Sequence, residues 1–450
     1  MQIFIENCRS YDMTDINNAL NKHMATFKNI IKKGHSVTIK PNWISHSHKY
    51  NESEWESVIT HPNVITAVLE IVLACLAHEG KIVIADGPQT SSSWEMLMQR
   101  MEPERWMKMG REKGVEVSII DLREDMWITR GDITIERKKL PGDPLGSTEC
   151  NLGVLSEFVN HKVSSRGYFG ADYNKQETNQ AHSGNNHQYR VSRTVMESDV
   201  FINLPKMKTH KKAGITCSLK NLVGINTYKN WLPHHNEGTP DEGGDQFPQN
   251  TLKTKSEGVL LDKFTSFLSY YPYLGIFLIP IKKLGKILFG STRTTIRSGS
   301  WYGNDTLWRT VLDLNKILIY ANPDGSLRPH TVKSRKKYLS IVDGIIAGEG
   351  SGPEAPDPKH TGLLIIGTNP VAVDAACAKI MGFDWQKIPS IKNAFYINRY
   401  PLCDFVYDDI EIVSPDSRFN KRLAEIKSSD SFYFKPHFGW KDHIELSQQL

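Results

Sequence analysis

The chain has 450 residues, enough for two or more domains or for one enlarged α/β domain with insertions. A formal charge of +5 is small for that length, which excludes nucleic-acid binding through bulk charge and leaves any positive field to be local. The 6 cysteines are scattered without a Cys-x-x-Cys pair, against a zinc ribbon, a ferredoxin-type cluster and a secreted disulfide scaffold alike, so a reducing cytoplasm is the default location and no intrinsic iron–sulfur cluster is expected.

The first eight residues lack a basic segment followed by an apolar core, so no secretory signal is expected. From Asp15 to Ile31, apolar residues at Ile16, Leu20, Met24, Phe27, Ile30 and Ile31 recur at helical intervals, and Lys33-Gly34 closes the run. Ser36 to Lys40 reads as a strand stopped by Pro41, which makes Lys40 and Asn42 the first polar candidates at a sheet edge. Val64 to His78 reads as a helix with Thr60 or His61 near its N-cap and Pro62 in its first turn. That position suits an anion or a general base, and equally a plain cap. Lys81 to Gly87 is the next strand, with Asp86 at its tip, where it could ligate a metal, hold a ribose hydroxyl or serve ordinary Asp-Gly turn chemistry. The strand-helix-strand order is the parallel α/β unit. Glu102 to Lys113 and Val115 to Asp121 read as a further helix and strand. Gly167 to His187 is polar and reads as a mobile loop over the site.

The stretch from Asn203 to Asn226 is where the working site is expected, because it follows a short apolar strand, Asp199 to Asn203. Lys206, Lys208, His210 and Lys220 alternate there with Ser218 and Asn221. An oxyanion needs that combination of charge and short hydroxyl, amide and backbone donors, although a charged surface turn is the other reading. Lys206, Lys208 and Lys220 are expected to neutralise an anion, and Ser218 and Asn221 to orient it. His210 or His61 would transfer a proton. Further on, His234 and His235 with Asp241, Glu242 and Asp245 form either a polar loop or a cation-binding one. Phe264 to Ile281 carries no charge and is followed by Lys282, Lys283 and Lys286. Pro272, Gly275 and Pro280 argue against a spanning helix, leaving a membrane-surface segment, a buried hairpin or a helical cap.

The last third restores the α/β rhythm with a helix over Asn304 to Tyr320 and a strand from Tyr338 ending in Asp343-Gly344. The glycine-rich turn that follows, to Pro353, matches no Walker or dinucleotide fingerprint and carries one carboxylate, Glu349. Asp86, Asp343 and Glu349 are the candidates to hold a divalent metal, magnesium or similar. Gly362 to Gly367 is a strand, and Val371 to Met381 a helix whose Asp374 complements its own dipole. From Phe405 onward the chain reads as peripheral.

Taken in order, Lys40-Pro41-Asn42, Thr60-His61-Pro62, Asp86-Gly87, Lys206-Met-Lys208-Thr-His210, Ser218-Leu-Lys220-Asn221, Asp343-Gly344 with Glu349-Gly-x-Gly-Pro353, and Asn369-Pro370-x-Ala372-x-Asp374 resemble the domain-of-unknown-function 362 family. The resemblance spans about residues 36 to 385. It implies an α/β fold with a mostly parallel sheet flanked by helices, and little about the reaction. Many relatives carry a ferredoxin-like cysteine cluster that this chain lacks. The expected layout is an N-terminal part of the core over 1–227, an insertion over 228–303, the C-terminal part of the core over 304–403 and an extension over 404–450.

The functional expectation is an enzyme acting on a phosphorylated or carboxylated small molecule, metal-assisted and placed in cell-envelope assembly if the insertion meets lipid. The alternatives are a non-catalytic anion-binding or membrane-docking protein, and a redox component served by an external iron–sulfur partner. The expected partners are an anionic substrate and a membrane surface met through 264–290, with no nucleic acid. The expected location is cytoplasmic, on the inner face of the membrane if that surface is used.

Overall fold

Apolar runs bounded by turn residues form one large mixed sheet in the computed structural model, which describes residues 1–290, 295–331 and 335–447. Its strands are β1 (Gln2–Asn7), β2 (Ser36–Pro41), β3 (Lys81–Asp86), β4 (Glu116–Asp121), β5 (Val200–Leu204), β6 (Lys206–His210), β7 (Gly214–Thr216), β8 (Lys337–Glu349), β9 (Asp357–Gly367) and β10 (Glu411–Val413). Neighbours run β10, β1, β9, β8, β5, β2, β3, β4, with β6 pairing β8 and β7. Strands β8, β5, β2, β3 and β4 are mutually parallel. β9 lies antiparallel to β8 and β1, and β10 parallel to β1.

The chain builds β2, β3 and β4 outward in one direction, then returns to place β5 on the other side of β2. The strand order therefore reverses between β2 and β5, and such a reversal leaves a crevice at the carboxyl ends of the strands. Lys40 and Asp86 sit at those ends.

Both faces of the sheet are covered. On one face α1 (Pro62–Leu76) packs with Ile16, Leu20 and Phe27 over Ile39, Ile84 and Ile202, all fully buried. On the other, α2 (Leu307–Tyr320) and α3 (Pro370–Met381) pack with Trp440 and Ile444. Continuous apolar strands such as Val200–Leu204 are the signature of a sheet buried on both sides. The stretch Glu52–Leu76 is long and apolar enough to cross a membrane by length and composition, and 72% of its apolar 18-residue window is buried inside the protein.

Five local expectations change. The run from Asp15 to Ile31 is two helices, Met13–Asn21 and Met24–Ile30, broken where His23 turns to Glu6 at 3.0 Å. The polar stretch 167–187 is built rather than loop-like, with a helix over Lys175–Ala181 tied down by Asn179 on Tyr168 and Thr178 on Asn230. Residues Lys206–His210 form a strand because β8 continues past Asp343 through the glycine-rich segment and gives them a partner. Asp374 caps another helix instead of its own, accepting from the backbone N–H of Ser218 at 2.6 Å and of Leu219 at 3.1 Å. The residues after Phe405 are not peripheral: β10 extends the sheet, the Trp440 indole donates to the Lys211 carbonyl at 2.8 Å, and the Lys435 N–H donates to Glu349.

Within the 228–303 insertion, helices Leu252–Tyr270 and Gly275–Phe289 form a hairpin. The side chain of Lys286 and residues 291–294 of that insertion lie outside the described residues.

Candidate functional site

At the reversal point a cavity of about 280 Å³ opens at the strand ends. Its floor is a buried ion pair: the Lys40 ammonium lies 2.7 Å from Asp86 Oδ1 and also donates to Asn221 Oδ1 at 3.2 Å. The other Asp86 oxygen accepts from the Trp43 N–H at 2.7 Å, so the carboxylate is held from several sides. Asn42 donates to the same Asn221 oxygen at 2.7 Å, and its own Oδ1 is buried without a hydrogen-bond partner. Asn221 in turn donates to Asn203 at 2.7 Å. Gly224 and Gly87 close one side because nothing larger fits. A Cβ on Gly224 would stand 1.9 Å from Asp86 Oδ1, and one on Gly87 2.8 Å from the Lys229 ammonium.

The walls are cationic. Lys211 is matched by Glu354 at 3.3 Å. Lys212, Lys220 and Lys229 also line the cavity, and none has a carboxylate partner among the described residues. Lys229 donates to the carbonyls of Asn226 and Val223, and Lys212 meets His235 Nδ1 at 3.3 Å. Burial, reinforced by neighbouring lysines, holds Lys212 down to about 7 and Lys220 to about 8. Burial also brings Lys229 to about 7 against the pull of Asp86.

Both histidines of the cavity are neutral. His210 Nδ1 accepts the backbone N–H groups of Lys212 at 3.0 Å and Ala213 at 3.1 Å, which leaves the ring proton on Nε2. Burial and the surrounding lysines push its pKa well below the ordinary value. His234 has the opposite tautomer. Its Nδ1–H donates to the Leu232 carbonyl at 2.7 Å, leaving Nε2 as an acceptor, and burial with Lys212 nearby lowers it to about 3.

The structure thus gathers Lys40, Asn42, Asp86, His210, Lys220 and Asn221 around one cavity and sends the other sequence candidates elsewhere. Lys206 neutralises Asp343 at 2.6 Å instead of a ligand, inside a second buried knot. There Tyr11 donates to Asp343 at 3.0 Å and accepts from Lys206 at 2.9 Å. His61 caps α1, accepting from Asn63 N–H, and its ring stacks on Tyr11 at 3.8 Å, so it belongs to this knot and not to the cavity. Lys208 is buried and donates to the Val58 carbonyl; burial first, then Lys206 and Lys220, push its pKa well below the ordinary value. Ser218 is buried, with its hydroxyl 2.7 Å from that of Ser340. Glu349 pairs with Lys359 at 3.3 Å and Lys435 at 3.6 Å. The three candidate metal ligands are therefore each taken by different lysines, and no group of three or more His, Cys, Asp or Glu side chains suited to a metal forms among the described residues. Lys212 and Lys229 are cavity residues that the sequence reading gave no role, and His234, read there as part of a polar or cation-binding loop, lines a cavity of lysines instead.

Fold and site together define an α/β protein with a lysine-lined cavity at the switch point of a mostly parallel sheet. The chain belongs to the family described as Domain of unknown function (DUF362), which matches residues 37–145 and 151–379. A thylakoid-associated protein of Synechocystis sp. is 24% identical over 202 residues. That match spans 45% of this chain and 38% of the relative. Among solved structures, a Thermotoga maritima protein aligns at 10% identity and TM-score 0.30, covering 77% of this chain and 53% of that one. The lactate racemase apoprotein of Thermoanaerobacterium thermosaccharolyticum aligns at 12% identity and TM-score 0.23, covering 50% and 39%. At such scores neither bears on what this chain does.

Proposed function

We propose that the protein is an enzyme whose substrate is a small phosphorylated or carboxylated molecule carrying a hydroxyl, bound in the lysine-lined cavity. The observation that carries this reading is the convergence of Lys212, Lys220 and Lys229 on one cavity in which, among the described residues, none of the three is ion-paired and the carboxylates present, Asp86 and Glu354, are taken by Lys40 and Lys211. Three cations sharing a poorly solvated space repel one another, and an anion of two charges relieves that repulsion. His210 Nε2–H supplies a neutral donor, while Asn42 Oδ1 and His234 Nε2 are acceptors for a hydroxyl. The volume suits a molecule of a few heavy atoms beyond its anionic group. Proton transfer falls to an amine rather than an imidazole, because the lysines titrate near neutral pH and both rings stay neutral. A carboxylate and an imidazole within reach of the lysines, Asp86 on Lys40 and His235 on Lys212, favour an enzyme over a plain binder.

We infer that it works at a membrane surface. The relative from Synechocystis is thylakoid-associated, and the helical hairpin of the insertion exposes apolar and basic side chains together.

Calorimetric titration with orthophosphate, pyrophosphate and citrate at fixed ionic strength tests the cavity. Binding is expected to at least one of them and to weaken by about tenfold or more in Lys220→Ala and Lys229→Ala, each lysine contributing on the order of one charge-assisted hydrogen bond. A parent protein indifferent to all three anions overturns the reading.

A further inference from the structure

Half of the large apolar side chains that stand exposed among the described residues fall between Leu252 and Leu284. So short a segment would hold few of them if they were scattered at random. Their arrangement follows the helix. In Gly275–Phe289 one stripe turns to the neighbouring ribbon of Asp125–Arg130 and Ile133–Lys139. Gly275 sits against Ile133, Ile279 against Gly131, and Lys282 donates to the Asp132 carbonyl. The opposite stripe, Ile276, Phe277, Pro280, Ile281 and Leu284, is exposed, with Phe277 at 75%. A helix that shows its apolar stripe to solvent is the reverse of the usual surface pattern. In Leu252–Tyr270 the exposed stripe repeats the arrangement with Val259, Leu260, Phe267 and Tyr270, and Tyr271 and Tyr273 continue it across the turn.

Charge separates the same way. Exposed charged side chains between Leu252 and Leu284 are Lys253, Lys255, Lys263 and Lys283. The acids of the hairpin are engaged: Glu257 pairs with Arg297, and Asp262 with Lys175 at 2.6 Å. Aromatic rings with a polar tip, aliphatic side chains and lysines on one face, where the one acid with a partly exposed side chain, Asp262, is already neutralised by Lys175, complement the headgroup region of an anionic phospholipid bilayer.

We propose that the hairpin of residues 252–289 docks the protein on an anionic lipid surface, lying in the interface with Phe277 and Ile281 in the acyl boundary and Lys263 and Lys283 at the phosphates. The docked face is joined to the cavity wall, since Lys175 bridges Asp262 of the hairpin to Glu237 in the loop that follows His234. Docking rests on different residues from the anion cavity, so the two can fail separately.

The test is co-sedimentation of the full chain with sucrose-loaded vesicles, either pure phosphatidylcholine or equimolar phosphatidylcholine and phosphatidylglycerol. The parent is expected to pellet with the anionic vesicles and to stay in solution with the neutral ones. Phe277→Glu with Ile281→Glu lowers the bound fraction by about tenfold or more, and Lys263→Gln with Lys283→Gln lowers it at low salt. Calorimetric orthophosphate binding and melting temperature, measured on every variant, report on folding and on the cavity. Equal pelleting of the parent with both vesicle types, no pelleting at all, or a glutamate double variant that binds as the parent does would each overturn docking. So would a parent dimer in solution that the glutamates convert to monomer, because a second copy then covers the face. A Lys220→Ala protein that loses orthophosphate but still pellets keeps the docking assignment while removing that lysine from it.

Discussion

Lys40 and Asp86 lie 2.7 Å apart with both side chains buried, and Gly224 presses so close that the pair has no room to separate. Replacing one partner therefore strands the other. Asp86→Asn leaves a buried ammonium unmatched and is expected to cost about 3–5 kcal/mol in urea denaturation. The double variant Asp86→Asn with Lys40→Met removes the stranded charge and should recover part of that loss. A single variant as stable as the parent would mean the ammonium finds other compensation.

Gly224→Ala tests the same contact from the backbone side. Its Cβ would meet both Asp86 and Lys40, at 1.9 Å and 2.6 Å. We expect a loss of about 1–3 kcal/mol from overpacking, together with weaker orthophosphate binding because Lys40 is displaced into the cavity. Gly285→Ala, where a Cβ meets nothing within 4 Å and the backbone, as at Gly224, is not left-handed, reports the glycine-to-alanine effect without the clash.

The lysines set a pH dependence whose sign is fixed. Lys212 and Lys229 titrate at about 7 in the folded chain and Lys220 at about 8, all lowered from 10.5. Between those values and 10.5 the unfolded chain binds more protons, so stability rises with pH across that window and is lower where all three are protonated. His234, lowered from 6.5 to about 3, adds a separate loss as pH falls through that acidic range. Melting temperatures from about pH 7 to about pH 9 should climb, and saturating orthophosphate should flatten the climb by holding the lysines protonated. A falling profile would remove the three lysines from the argument.

Anion binding should also take up protons. At about pH 8 part of the lysine population is neutral, and a bound dianion raises each pKa. Titrations in buffers of different ionisation enthalpy give the number directly; an uptake near zero in the parent, or an unchanged uptake in Lys212→Ala with Lys229→Ala, counts against it.

Tyr11→Phe separates the two buried clusters. The Tyr11 hydroxyl donates to Asp343 and accepts from Lys206 and the Ile346 N–H, so its loss should cost about 1–3 kcal/mol by chemical denaturation. Orthophosphate affinity should stay as in the parent. A matching loss of affinity would join the knot to the cavity.

What could be read from the chain was what local chemistry dictates. Pro62 and His61 announce a helix start, the run from Lys81 to Asp86 a buried parallel strand, and Lys40 and Asp86 sit where strands end. The division of the polar candidates into two clusters was not legible, because charge alone does not tell which partner a lysine keeps. Lys206 is cancelled by Asp343, which lies 137 residues further along. Lys229 and His234 reach the cavity from the first loop of the insertion; the His234-His235 pair marks a polar loop, but only packing decides that it faces the lysines. That Lys206–His210 is a strand is not legible locally, because its partner is the far half of β8, on the other side of the insertion.

The position of β1 bears on how the molecule is made. This strand is made before the other nine of the sheet, yet its neighbours β9 and β10 are the last two of the ten to be made. Through most of translation its apolar side chains and backbone groups must wait unpaired, the condition in which edges stick to other chains. Yield during expression should therefore respond to chaperone supply more strongly than the stability of the finished protein does.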